Sequence, residues 1–314
     1  LDIGRRFVEG GDRQDDFRHE SFRTVAGAKG TLDDFGWDYD ISAQYGETVQ
    51  SRTYLNDVSL SRIGRSLNVV NNGPDLILGN GDDAPICQSV VDGSDPNCLP
   101  FDIFRSGTLT PELLAYLVTP GFQIGTTSEW IVNASFNGET GITIPWASNP
   151  IAAAFGAEYR QEKLEHRVDI AFSSGDLAGQ GGPTPSVAGS FDVTEAFGEL
   201  SIPIVEDAPW AKLLEITGGY RISDYENAGI THTYKYGGSW APVEDVRFRG
   251  TFQRAVRAPN IVELFTPSYL GLWGGQDPCA GTTSSPTPAY TAAQCANLGL
   301  SVGQIAAFAS SPNF

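Results

Sequence analysis

The chain has 314 residues, enough for one large or two ordinary domains. Its 36 glycines, 19 prolines and only 18% charged residues indicate a β-rich chain with many turns, which excludes a mainly helical enzyme. The net charge of −18 would repel phosphates and argues against a nucleic-acid partner. No stretch approaches the roughly 20 apolar residues of a membrane-spanning helix.

Segments with the alternation of β-strands recur along the chain. They are nine in number: residues 2–9, 17–29, 36–47, 128–141, 151–165, 191–204, 212–225, 230–241 and 246–258. In the segment 212–225, Leu214 and Ile216 alternate with Glu215 and Thr217. One side of each strand is therefore apolar and the other is polar. A soluble β-sandwich would show the same alternation, with the apolar side turned inward.

Three features favour a membrane barrel over a sandwich. The segments run to about 10–15 residues, longer than is usual in soluble sheets and suited to tilted membrane strands. Aromatic residues collect near strand ends, as in an interfacial girdle, among them Trp37, Trp146, Trp210 and Trp240. The connections alternate between short turns and long loops, and the long loops are residues 48–127, 166–190 and 259–314. We predict an all-β fold, an antiparallel up-and-down transmembrane β-barrel with long extracellular loops.

The four cysteines form two close pairs, Cys87 with Cys98 and Cys279 with Cys295. Both pairs lie in stretches rich in Gly, Pro, Asp and Ser. This predicts two loop disulfides formed in an oxidising compartment. Zinc is the alternative, but no CxxC is present and no histidine lies close to either pair.

The loop around the first cysteine pair is acidic. Its oxygen donors are Asp75, Asp82, Asp83, Asp92 and Asp95. Carboxylates of this kind suit calcium, although the twelve-residue EF-hand pattern is absent. A solvated loop is the favoured interpretation, loop calcium is the alternative, and no other cofactor is expected.

Several stretches resemble one known family in the expected order. They are "RRFVEGGDRQDDFRHESFRTVAGAKGTLDDFGWDYDISAQYG", "CLPFDIFRSGTLTPELLAYL", "IPWASNPIAAAFGAEYRQE" and "FQRAVRAPNIVELFTP" followed by "GGQDPCAG". Together they cover about residues 3 to 281 and are similar to the barrel of TonB-dependent outer-membrane receptors. The resemblance implies a barrel of about 22 strands filled by a plug. The nine strands would then be the central part of that barrel, with the plug domain, the TonB box and the closing strands outside this chain.

The resemblance also implies function, location and partners. The receptor would take up a scarce solute, such as a ferric siderophore, a vitamin or a glycan, with energy from the TonB complex. It would lie among the lipids of the outer membrane of a Gram-negative bacterium. A passive porin or adhesin barrel and a secreted β-sandwich binding module are the alternatives. No catalytic motif such as GxSxG or HExxH is present, so we expect no enzyme.

Candidate site residues follow from the polar side of the strands. We expect side chains facing the lumen or the plug at Arg247, Arg249, Gln253, Glu215 and Glu158. A cation enclosed there needs an acidic partner, on the plug or on a neighbouring strand. Pro259 ends strand pairing because it has no amide hydrogen. Position in the last long loop suggests ligand contacts for Tyr269, Trp273 and Tyr290. A short helix is predicted at 110–117, with Thr110 as its N-cap.

Overall fold

A computed structural model describes residues 7–71, 81, 84–271, 277–280 and 288–305. The chain forms two compact units, Leu1–Tyr269 and Leu270–Phe314. The first unit holds every strand of the described ranges. In the second unit, a disulfide joins Cys279 to Cys295 and a short helix begins after Thr291.

The first unit is dominated by one antiparallel sheet. In chain order the strands are β1 (Gln14–Leu32), β2 (Trp37–Val58), β3 (Val69–Asn71), β4 (Pro85–Cys87), β5 (Val118–Glu139), β6 (Ala152–Val168), β7 (Val187–Ala208), β8 (Ala211–Tyr225), β9 (Gly229–Val243) and β10 (Val246–Arg254). Eight of them form the sheet in the order β1-β2-β5-β6-β7-β8-β9-β10, and β3 pairs only with β4. Each long strand therefore pairs with the long strand that follows it, which is the up-and-down topology expected from the sequence.

The helices are short and lie in the connections. They are α1 (Leu60–Leu67), α2 (Gln88–Val91), α3 (Pro111–Leu117), α4 (Ile170–Ser173), α5 (Ile261–Phe265) and α6 (Ala292–Asn297). The predicted helix at 110–117 is confirmed, since the Thr110 side chain accepts from the Leu113 amide and Pro111 opens α3. Within the described ranges, no helix has both the length and the hydropathy to cross a membrane.

The connections differ between the two ends of the strands. The strand ends joined by residues 33–36, 140–151, 209–210 and 244–245 are here called the short-turn edge. The opposite edge, the long-loop edge, carries residues 59–117, 169–186 and 226–228. The last of these is brief, so the asymmetry lies in the first two. Segment 140–151 carries Trp146, and turn 209–210 carries Trp210.

The strand register assigns every side chain to one of two faces. Ile216 pairs with Gly238, which pairs with Gly250, and Phe248 pairs with Trp240 on the same side. We call this the apolar face. The larger apolar residues exposed on it include Ile41, Trp130, Val132, Phe155, Leu200, Ile216, Tyr220, Tyr236, Phe248 and Phe252. No second layer covers it within the described residues. An uncovered apolar surface of this extent marks an interface with lipid or protein rather than the inside of a sandwich.

Several predicted boundaries were wrong. Eight strands form the sheet instead of nine, and Phe7–Glu9, the described part of the first predicted segment, is not a strand. The long strands are also longer than predicted, because 48–58 belongs to β2 and 118–127 to β5. The first long loop therefore covers 59–117 instead of 48–127, and the second covers 169–186 instead of 166–190. The missed end of β2 lacks large apolar residues on alternate positions. The missed end of β5 has Phe122 and Ile124 in alternation, but Pro120, Gly121 and Gly125 interrupt the pattern. The two ends are extended and pair with each other.

The first long loop has a core of its own. Phe101, Leu113 and Leu117 are buried together, and Phe7, Ile63, Ile103, Leu109 and Tyr116 pack against them. The disulfide between Cys87 and Cys98 closes the loop beside this core. Helix α3 supplies both buried leucines, which explains why a short helix with a strong N-cap is retained in a loop.

Candidate functional site

The face opposite the apolar one, here the polar face, carries a row of charged side chains. Arg221 Nη1 lies 3.1 Å from Glu195 Oε2, and Lys235 Nζ lies 2.8 Å from Glu199 Oε1. Arg160 Nε lies 3.3 Å from Glu162 Oε1. Such an arrangement on a sheet requires water or a charged partner in front of it, because charges enclosed by protein need compensation.

Glu195 is the most enclosed of these groups. Its residue is only 5% exposed, and it pairs across the sheet with Glu158 on one side and Ser223 on the other. Arg221 compensates its charge and also stacks on Phe197, with Cζ 5.1 Å from the ring centroid. Two carboxylates thus lie opposite each other on β6 and β7, and Arg221 on β8 supplies the compensating positive charge.

After β10 the chain folds back over the polar face. We call residues 255–265 the returning segment. Its helix α5 contacts β6 and β7, and the Phe265 ring lies directly over Gly189. Gly189 leaves the space that the ring occupies, since an added Cβ would lie 2.3 Å from Phe265 Cδ2.

The returning segment is held by local hydrogen bonds. Arg257 donates to both carboxylate oxygens of Glu263, at 2.8 and 3.0 Å. Asn260 and Glu263 form a capping box at the start of α5. The hydrogen bonds from Arg257, with the Asn260 amide, lower the pKa of Glu263 to about 2. Pro259 therefore precedes a capped helix, and strand pairing had already ended at Arg254.

Two cavities lie between the returning segment and the polar face. One, of about 460 Å³, is lined by Glu158, Arg160, Glu195, Tyr225 and Gln253 among others. The other, of about 660 Å³, is lined by Arg23, Glu129, Glu162, Ile261 and Val262 among others. Both have charged walls, so they suit polar ligands or a charged protein surface.

The five residues predicted to face the lumen or plug share the polar face. Glu158 and Gln253 line the smaller cavity. Arg249 and Glu215 both pair across the sheet with Ser239, and Arg247 Nε donates to Ser239 Oγ at 2.5 Å. The structure thus separates the five into two groups.

The first group lies in the smaller cavity, and the second lies towards the short-turn edge. Within the described chain, neither Arg247 nor Arg249 forms an ion pair with Glu215. That these groups face the barrel lumen or a plug stays a prediction.

The role of the predicted ligand residues stays a prediction. Tyr269 is exposed at the end of the first unit and Tyr290 is exposed in the second. Trp273 lies outside the described residues. The two predicted disulfides, Cys87–Cys98 and Cys279–Cys295, are both present.

Of the acidic loop, Asp75, Asp82 and Asp83 lie outside the described residues. The Asp95 carboxylate accepts from the Tyr116 hydroxyl at 2.7 Å and from Arg65 Nη1 at 2.9 Å. These contacts hold the pKa of Asp95 below its ordinary value. The Asp95 carboxylate therefore stabilises the loop, and these two contacts occupy an oxygen that an ion would need.

Sequence reasoning missed the contacts that join the end of β2 and the first long loop to the second long loop. Asp57 is buried and accepts from the amide of Gly179 at 2.8 Å. Asp176 accepts from the Ser59 hydroxyl and, at 2.7 Å, from the Ser61 amide. These partners are more than a hundred residues apart, so no local pattern could show them. The capping box of α5 was also missed, although its Asn-x-x-Glu spacing is a local signal that could have shown it.

Comparison with protein families identifies the chain. The family model described as "TonB dependent receptor-like, beta-barrel" matches residues 2–296. The chain belongs to this family. The match agrees with the eight-stranded sheet of alternating faces, and the family accounts for both the long strands and the uneven connections.

Among solved structures, the chain is similar to a mutant of the ferric enterobactin receptor (PfeA) from Pseudomonas aeruginosa. The identity is 19% and the TM-score is 0.46, and the match covers 86% of this chain and 29% of that one. The chain thus spans less than a third of that receptor. No curated protein matches.

Proposed function

We propose that this chain is part of an outer-membrane receptor that takes up a scarce solute with energy from the TonB complex. The observation that carries the proposal is the division of one sheet into an uncovered apolar face and a charged polar face, in a chain of this family. In a bilayer, the first face would meet lipid and the second would meet a wet interior.

The polar face would then form the contact surface for the plug. A plug domain would lie against the charged row, and Arg247, Arg249, Glu215, Glu158 and Gln253 would contact it or the water around it. The row is made of both signs, so a mixed-charge protein surface fits it better than a strongly charged small molecule.

The long-loop edge would face the outside of the cell. The first long loop, closed by the disulfide Cys87–Cys98, would then lie where oxidation is possible. A solute, namely a ferric siderophore, a vitamin or a glycan, would pass the long loops and the returning segment before it reaches the interior.

The experiment is solute uptake by cells that express the full-length receptor, with and without TonB. The panel contains ⁵⁵Fe-loaded siderophores, vitamin B12 and oligosaccharides. The proposal requires receptor-dependent uptake of at least one solute that stops when TonB is removed. Uptake that continues unchanged without TonB would show a passive porin. A soluble monomer obtained without detergent would show a secreted module instead.

A further inference from the structure

A crevice of about 660 Å³ lies at the short-turn edge, away from the polar face. Its apolar lining comes from Trp146, Ile204, Val205, Trp210 and Leu214, and Asp207 lies at its margin. Leu214 pairs with Trp240, which pairs with Phe248. The crevice therefore continues the apolar face and is not one of the cavities under the returning segment.

Polar contacts hold the backbone at the two tryptophans that wall the crevice. Glu206 accepts from the amides of Ser148 and Asn149 at 2.6 and 2.8 Å, and its own amide donates to the Trp146 carbonyl at 2.9 Å. On the other wall, Trp240 Nε1 donates to the Trp210 carbonyl at 3.1 Å. Both walls are thus set by the fold, although the Trp146 and Trp210 side chains are among the more exposed apolar groups.

The backbone opens the crevice. The register of β7 against β8 shifts between Pro203 and Val205, which leaves Ile204 without a cross-strand partner. Asp207 then adopts a φ of 55°, a conformation uncommon for any residue except glycine. Bulges of this kind re-aim side chains at the rims of barrels. Here both irregularities lie in the stretch of β7 that lines the crevice, while β7 stays paired with β8 as far as Ala208.

A charged group stands beside the crevice. Lys212 Nζ lies 3.4 Å from Asp207 Oδ1 and 3.6 Å from Glu244 Oε1. One cation between two carboxylates has a net charge of −1 and exposes acceptors as well as donors. A zwitterion with a phosphate and a primary ammonium complements it. An anionic headgroup would bring its phosphate against two carboxylates without offering an ammonium in return.

We propose that this crevice binds an acyl chain of a phospholipid with an ethanolamine headgroup. The acyl chain would lie between Trp146 and Trp210. The phosphate would accept from Lys212, and the ammonium would donate to Asp207 and Glu244. A choline headgroup cannot make the last two contacts, because its nitrogen carries no hydrogen. The inference rests on the proposed function, since it needs this edge at a membrane surface.

The test is native mass spectrometry of the full-length receptor, extracted in detergent and titrated with phosphatidylethanolamine, phosphatidylcholine and phosphatidylglycerol of identical acyl chains. We expect one ethanolamine lipid to be retained in preference to the other two. Trp146→Ala and Trp210→Ala should each lower its retention about threefold to tenfold, the value of a lost aromatic contact. Trp130→Ala, on the apolar face outside the crevice, is the matched control and should leave retention unchanged.

A second variant tests the headgroup. Asp207→Asn with Glu244→Gln removes both carboxylates, so the preference for ethanolamine over glycerol headgroups should disappear while the acyl contact remains. Equal retention of all three lipids by the unchanged receptor would overturn the inference, as would equal losses in Trp130→Ala and Trp146→Ala. Recovery of the receptor from outer membranes is scored in the same preparation. If it is not found there, the proposed function itself fails.

Discussion

The packing of Phe265 over Gly189 gives the sharpest test of the returning segment. In Gly189→Ala, the new Cβ would lie 2.3 Å from Phe265 Cδ2 and 2.5 Å from Cγ, so the ring or α5 must move. Overpacking of this kind costs about 1–3 kcal/mol. The ring is partly exposed and can turn aside, so we take the lower end. About 1 kcal/mol raises the population of the open segment about fivefold.

The assay is limited trypsin cleavage after Arg257 in the receptor embedded in lipid vesicles. Cleavage follows the open population when opening and closing are faster than cleavage. Gly198→Ala, on the same strand, is the matched control, because its Cβ would meet nothing within 4 Å. We expect about fivefold faster cleavage in Gly189→Ala, from the estimate above, and no change in the control.

A double mutant separates this contact from other effects of an alanine. In a Phe265→Ala background the added Cβ has no ring to displace, so Gly189→Ala should no longer change the cleavage rate. Equal rates in Gly189→Ala and Gly198→Ala would refute the packing argument. So would an effect of Gly189→Ala that persists in full without the ring.

Three further predictions concern the loops. Replacing Cys87 and Cys98 by serine should destabilise the first long loop by about 2–4 kcal/mol, seen as faster proteolysis of 59–117; an unchanged rate would contradict this. Leu117→Ala removes a fully buried side chain and should destabilise the first long loop by about 2–5 kcal/mol, measured in the same assay. Leu60→Ala, at an exposed position, should change the stability little. Similar values for the two variants would show that the loop core contributes nothing. The pKa of Glu263 is about 2 against about 4.3 when unfolded, so its stabilisation of α5 is complete above pH ~4.5 and is lost as pH falls towards 2. Acid should therefore open the returning segment, as measured by the mobility of a spin label attached beforehand at one of its exposed positions. Glu263→Gln should remove that pH dependence, and an unaltered pH profile would contradict it.

The sequence predicted the sheet because its signal is local. In β8 and β10 each residue alternates between faces, and Ile216, Phe248 and Phe252 lie on the apolar side as expected. The end of β2 was missed because Thr48, Gln50 and neighbouring residues lack the apolar alternation. The end of β5 was missed because Pro120, Gly121 and Gly125 interrupt the short alternation of Phe122 and Ile124. Those ends are extended because their backbones pair with one another, which no pattern within one segment shows.

The site was only partly visible in the sequence. Alternation placed Glu158 and Gln253 on the polar face, whereas the helix cap at Asn260 was not predicted. The sequence pattern could not show that the chain after β10 folds back over β6 and β7. That contact depends on Gly189, which lies far from Phe265 in sequence. The reason for a glycine at this position is visible only in the structure, where the Phe265 ring packs against it.

The central claim is that the apolar face meets lipid and the polar face meets water. Spin labels at adjacent positions of two strands test it most directly, in the full-length receptor reconstituted into vesicles. We predict that labels at Ile216 and Phe252 are accessible to oxygen dissolved in the lipid, and that labels at Thr217 and Thr251 are accessible to a water-soluble nickel complex. The same accessibility at neighbouring positions, or the reverse assignment, would contradict the account.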